Sequence, residues 1–251
     1  MAWLIAVVFV AVAGVVAVTA WTSFSGAGCG VPEDPACLRV LFIGNSYTSV
    51  NDLPGTFARL ARSGGLHVET AMIAPGGATL ADQVANPDVA TTIAGRHWTA
   101  VILQEQSELP AVRGALQSQI LPPAETLAGD ARAVGGLVYL LETWAHRDGL
   151  PTEHLDRKAM QAEIDATYRA LAPPLGASVV PAGEAWARAV TEAPSIDLWQ
   201  ADGSHPTAAG TYLAACVLYA SLTGRSPIGL SDAGGLDAAQ AAMLQRIAVE
   251  P

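Results

Sequence analysis

Residues 39–48 read Arg39-Val40-Leu41-Phe42-Ile43-Gly44-Asn45-Ser46-Tyr47-Thr48. The first five form a compact β-type run, apolar after Arg39, and glycine ends it, as expected of a buried β-strand. A few residues on, Asn51-Asp52 and Pro54 mark a helix start, and helical spacing runs over residues 53–62. Strand, tight loop and helix then recur along the chain. Residues 67–73, 99–103 (TAVIL), 137–141 (LVYLL) and 178–180 read as further strands. Helical patterns cover 79–84, 122–134, 155–171, 207–222 and 237–247. Gly135-Gly136 ends the second of these, and Pro173-Pro174 is expected to stop the third. Apolar strands alternating with helices predict a parallel sheet covered on both faces, joined by right-handed crossovers. In such sheets ligands bind beyond the carboxyl ends of the strands. No internal repeat and no second-domain boundary is visible.

The chain has 251 residues, of which 14% are charged, and a formal charge of −10. That length suits one α/β domain with a full core. Lys158 is the single lysine and the arginines form no cluster. Counterion release from a polyanion needs clustered cations, so nucleic acid is not an expected partner. Residues 4–21 form an uncharged apolar run that is not amphipathic. It reads as a signal peptide or membrane anchor, and small residues at 18–20 and 25–27 could each support cleavage. Residues 1–28 are therefore expected to export the chain, 29–38 to link, and 39–251 to form the domain. If uncleaved, the leader makes the membrane a partner. Cys29 and Cys37 lie in a Gly/Pro-rich segment and form a candidate disulfide outside the cytoplasm. Gly26-Ala27-Gly28-Cys29 is similar to a lipoprotein site but lacks its leucine. Cys216 reads as a core residue, and no zinc-ligand spacing appears.

Four places carry candidate chemistry, each just after a predicted strand or opening a helix. Ser46 sits between strand and helix, where free N–H groups favour an anion. Asp202-Gly203-Ser204-His205-Pro206 opens the last long helix. A carboxylate there can take the Nδ1 proton of His205 and leave Nε2 as a base, which a serine nucleophile requires. His146, in Trp144-Ala145-His146-Arg147-Asp148, is the rival base. Gly77, in Pro75-Gly76-Gly77, lets a backbone N–H approach a ligand. Gln104 and Gln106 share one face of an extended segment, and a carboxamide is a suitable oxyanion donor. Trp144 and Trp199 are candidate pocket walls, and an aromatic wall would suit a sugar ring.

Taken in chain order, the blocks resemble the SGNH/GDSL hydrolase superfamily, most of all a bacterial subgroup with a GNSYT-type first block. The resemblance runs from about residue 39 to residue 224. Ser46 matches the nucleophile, Gly77 the glycine donor, and Asp202 and His205 the terminal DxxH pair. Two departures stand out: Asn45 replaces the aspartate of GDS, and Gln106, with Gln104 as alternative, falls where the family has asparagine. The resemblance implies a three-layer α/β/α fold with a flavodoxin-like five-stranded parallel sheet. It also implies no cofactor, and hydrolysis of an ester on a lipid, sugar or small molecule; Trp144 and Trp199 tilt that reading towards a carbohydrate O-acyl ester. An acyltransferase with the same triad and a non-catalytic extracytoplasmic binding protein are the alternatives; a metallohydrolase is the more distant one.

Overall fold

The computed structural model describes residues 23–25, 29 and 36–250. The leader at 1–22 and the lipoprotein-like stretch at 26–28 lie outside the described residues. Six strands form one sheet: β1 (Ser23–Ser25), β2 (Leu38–Ile43), β3 (Val68–Ile73), β4 (Ala100–Leu103), β5 (Leu137–Leu141) and β6 (Ser178–Val180). Their order is β1-β3-β2-β4-β5-β6. The five strands β2 to β6 pair in parallel, and β1 adds an antiparallel edge to β3. Two boundaries therefore move. Residues 23–25, read as leader, pair with the domain's sheet, and β2 opens at Leu38 within the predicted linker. Cys29 and Cys37 are joined by a disulfide just before β2.

Nine helices are described: α1 (Ser46–Ser49), α2 (Leu53–Ser63), α3 (Leu80–Ala85), α4 (Pro87–Ala94), α5 (Leu121–Ala133), α6 (Arg157–Leu175), α7 (Ala182–Glu192), α8 (Ala208–Thr223) and α9 (Ala238–Ile247). The pleat explains why β2 is apolar throughout. Val40 and Phe42 enter a core with α2, α7, α8 and α9, while Leu41 and Ile43 enter a second core with α3, α4, α5 and α6. Helix α8 is buried on nearly every face because α2, α7 and α9 all pack on it.

Pro173-Pro174 does not stop α6, which runs to Leu175. Proline's fixed φ is helical, and the carbonyls that lose donors belong to the exposed Arg169 and Ala170, where water can replace them. The helix ends instead at Gly176, in the left-handed region at φ 56°, whose N–H donates to Ala172 and Pro173 carbonyls. Short helices α4 and α7 were not expected from the sequence.

Candidate active site

The chain passes from β2 to β3 on one side and then returns to β4 on the other. This reversal opens a crevice beyond the carboxyl ends of β2 and β4. Ser46 follows β2 there, as the first residue of α1. Asn45 caps that helix and is 2% exposed. Its Oδ1 accepts from Tyr47 N–H at 3.1 Å, its Nδ2 donates to Ala78 O at 2.9 Å, and its N–H donates to Gln104 Oε1 at 3.0 Å. This one residue thus ties the serine turn to the loops after β3 and β4.

The DGSHP loop reaches the same place from the far end of the chain. Asp202 Oδ1 accepts the N–H groups of Ser204 and His205 at 2.9 and 3.0 Å, which closes the turn. Gly203 sits in this turn at φ 72°, a conformation few other residues adopt readily. Asp202 Oδ2 is left for His205 Nδ1, at 2.6 Å. The other ring nitrogen, His205 Nε2, lies 3.0 Å from Ser46 Oγ. The backbone bond from Ser204, with those from His205, pulls the Asp202 pKa down to about 2 despite some desolvation. Asp202 is therefore ionised across the range in which histidine titrates, and holds the Nδ1–H tautomer.

The remaining predicted residues fall differently. Gly77 lies in the loop after β3 at φ 72°, with open space where a Cβ would stand. Gln104 is not a free donor: it is buried, its Oε1 accepts from Asn45 N–H and Thr48 Oγ1, and its Nε2 donates to Asn45 Oδ1 at 2.9 Å. It is a strut of the serine turn rather than an oxyanion donor. Gln106 uses its Oε1 to cap the 3-10 turn Leu109–Ala111, accepting from Glu108 and Leu109 N–H groups. Its Nε2 faces Ser107 Oγ at 3.4 Å.

Trp144 is fully buried, stacked between Tyr47 at 4.6 Å and Trp186 at 4.0 Å. With both faces covered it cannot stack a sugar, so its expected role as a pocket wall is withdrawn. Trp199 is 6% exposed and meets Trp186 edge-on. It lines a cavity of about 450 Å³ together with Ala145, Arg157, Lys158, Gln161 and Trp186. That cavity does not include Ser46, Asp202 or His205. His146, the rival base, points its Nε2 at Ser204 and Ser107 rather than at Ser46. Tyr47, Ser107 and Ser204 were not singled out from the sequence. Only their positions, next to Ser46, Gln106 and His205, could have flagged them.

The fold has solved counterparts. A DUF4886 family protein from Bacteroides uniformis superposes with a TM-score of 0.74 at 21% identity, covering 84% of this chain and 93% of that one. A candidate SGNH hydrolase from Slackia heliotrinireducens gives a TM-score of 0.63 at 28% identity, over 74% of this chain and 99% of that one. An acetylxylan esterase from Geobacillus stearothermophilus gives 0.57 at 15% identity, over 74% and 94%. No family model and no curated protein matches the chain. The fold is the one that these SGNH hydrolase and esterase structures share.

Proposed function

We propose that this chain is a serine ester hydrolase in which Ser46 is the nucleophile, His205 the general base and Asp202 its orienting acid. The observation that carries the reading is the continuous line from Ser46 Oγ to His205 Nε2 at 3.0 Å and from His205 Nδ1 to Asp202 Oδ2 at 2.6 Å. Ser46 Oγ adds to the ester carbonyl while its proton passes to His205 Nε2. The ionised Asp202 stabilises the imidazolium. The tetrahedral oxyanion is met by the N–H groups of Ser46 and Gly77, with Gln106 Nε2 as the remaining carboxamide donor. His205 then gives its proton to the departing alcohol, leaving an acyl-Ser46. Water, deprotonated by His205, adds to that acyl group. Collapse releases the carboxylic acid and restores the Ser46 hydroxyl.

The substrate class is an acyl ester of a small alcohol or carbohydrate. It rests on the esterase neighbours, and Trp144 lends it no support. The disulfide before β2 favours an oxidising, extracytoplasmic setting.

The test is p-nitrophenyl acetate hydrolysis by the full chain beside Ser46→Ala and His205→Ala. Each variant is expected to lose about 10³-fold or more in kcat. Turnover that survives Ser46→Ala would mean a different nucleophile.

A further inference from the structure

A second hydrogen-bonded chain runs beside the Ser46 line. Tyr47 Oη is 2.7 Å from Ser204 Oγ, Ser204 Oγ is 3.1 Å from His146 Nε2, and the same nitrogen is 3.3 Å from Ser107 Oγ. Across the ring, His146 Nδ1 is 3.8 Å from Glu108 Oε1. Tyr47 follows Ser46 and Ser204 precedes His205, so this chain joins the neighbours of both. The backbone of the same segment is clamped as well. Trp144 Nε1 donates to Ser204 O at 3.1 Å, Arg147 N–H donates to Gly203 O at 2.7 Å, and Trp199 Nε1 donates to Ala145 O at 3.1 Å.

We propose that His146 is a positioning residue for His205: as a neutral imidazole it accepts the Ser204 hydroxyl proton and so fixes the turn that aims His205 at Ser46. This inference rests on the reading of Ser46 as nucleophile. The direction of the proton chain follows from its ends. Tyr47 is buried, and burial pushes its phenol up to about 12, so it keeps a proton to donate at working pH. It donates to Ser204 Oγ, and Ser204 then gives its own proton to the lone pair on His146 Nε2. The imidazole proton sits on Nδ1, towards Glu108. Glu108, Asp202 and His205 are the titratable groups acting on this ring; burial outweighs the two carboxylates and holds its pKa below the usual value. A second proton on Nε2 would turn the Ser204 hydroxyl back to Tyr47. The Tyr47 proton would then have to turn to Ser107, its other hydrogen-bond partner.

The experiment compares kcat and KM on p-nitrophenyl acetate across pH for wild type, His146→Leu, His146→Gln, Ser204→Ala, the double variant His146→Leu with Ser204→Ala, and Ser46→Ala, with thermal unfolding of each. His146→Leu and Ser204→Ala should each lower kcat about 10- to 100-fold, and KM should move less than about twofold. The double variant should be no worse than either single one, because both break one linkage. His146→Gln, whose Oε1 can accept the same proton, should recover most of the loss. The acid limb should reflect one protonation fewer in His146→Leu than in wild type; a packing role alone would leave that slope unchanged. Should His146→Leu fail to fold, Ser204→Ala and His146→Gln carry the comparison. Wild-type kcat in Ser204→Ala, or additive losses in the double variant, overturns the inference. If Ser46→Ala is dead while Ser204→Ala is unimpaired, only this inference fails. If Ser46→Ala stays active, the nucleophile assignment fails and takes this one with it.

Discussion

Asn45 has a physical reason to be asparagine. Its Nδ2 donates to Ala78 O while its Oδ1 accepts from Tyr47 N–H and Gln104 Nε2. An aspartate in this geometry sets a carboxylate oxygen against a carbonyl oxygen in a buried site. Asn45→Asp is therefore expected to destabilise the chain by about 1–3 kcal/mol, measurable as a lower urea midpoint at pH 7. The same pairing explains why the two glutamines could not be told apart in the sequence. Their spacing puts both on one face, but it does not reveal that Asn45 and Thr48 already engage one of them. Spacing and loop chemistry single out Ser46, Asp202 and His205 in the sequence, and the fold brings the three within hydrogen-bond distance. Trp144 was not, since a core tryptophan and a pocket tryptophan carry the same sequence signal. His146 drew attention as a histidine after a strand, yet its partners Ser204 and Ser107 lie 58 and 39 residues away.

Among the elements, helix α8 shows how packing reverses a propensity rule. Gly210 lies in its first turn, where alanine would ordinarily be the better helix former. A Cβ at Gly210 would meet Leu198 O at 2.6 Å and Trp186 Cζ3 at 2.9 Å. Leu198 O in turn accepts from Thr207 N–H at 2.9 Å, in the segment that carries the DGSHP loop. Gly210→Ala is thus expected to cost about 1–3 kcal/mol and to lower kcat as well, checked by chemical unfolding and the ester assay on one sample. The long helices and the buried strands were readable from periodicity. Helix α4 has a readable start, with Asn86 as cap and Pro87 in its first turn, but only Val89 and Ile93 are buried. Two apolar positions are too few to reveal a period. The extension of α6 through Pro173-Pro174 was hidden for another reason: whether solvent reaches the orphaned carbonyls is a property of the fold.

At the scale of the whole molecule, two features govern stability. The disulfide closes a loop between residues eight apart, so its reduction is expected to lower stability by about 2–3 kcal/mol in the chain-entropy account. Unfolding with and without reductant measures this. The second feature is pH. Burial pushes Glu142 up to about 8, with Asp165 adding to the shift, and pushes Glu105 up to about 7. An unfolded glutamate titrates near 4.3. A raised folded value means the stabilising contribution is full below the unfolded value and is lost as pH rises through the folded one. The chain should therefore lose stability from about pH 4.5 to about pH 8, and Glu142→Gln should flatten that slope in urea midpoints. The α/β order was legible because β2, β4 and β5 are nearly continuous apolar runs. Strand β1 was not, since Ser23-Phe24-Ser25 is too short and too polar to announce a sheet edge.

The proposed chemistry turns on Ser46 as the activated nucleophile. Fluorophosphonate labelling of the full chain, with the modified residue mapped by peptide mass spectrometry, tests it most directly. One phosphonylation per chain is expected, on Ser46, with strongly slowed labelling in His205→Ala. A chain that resists the probe, or one labelled on Ser204 or Ser107, would contradict it.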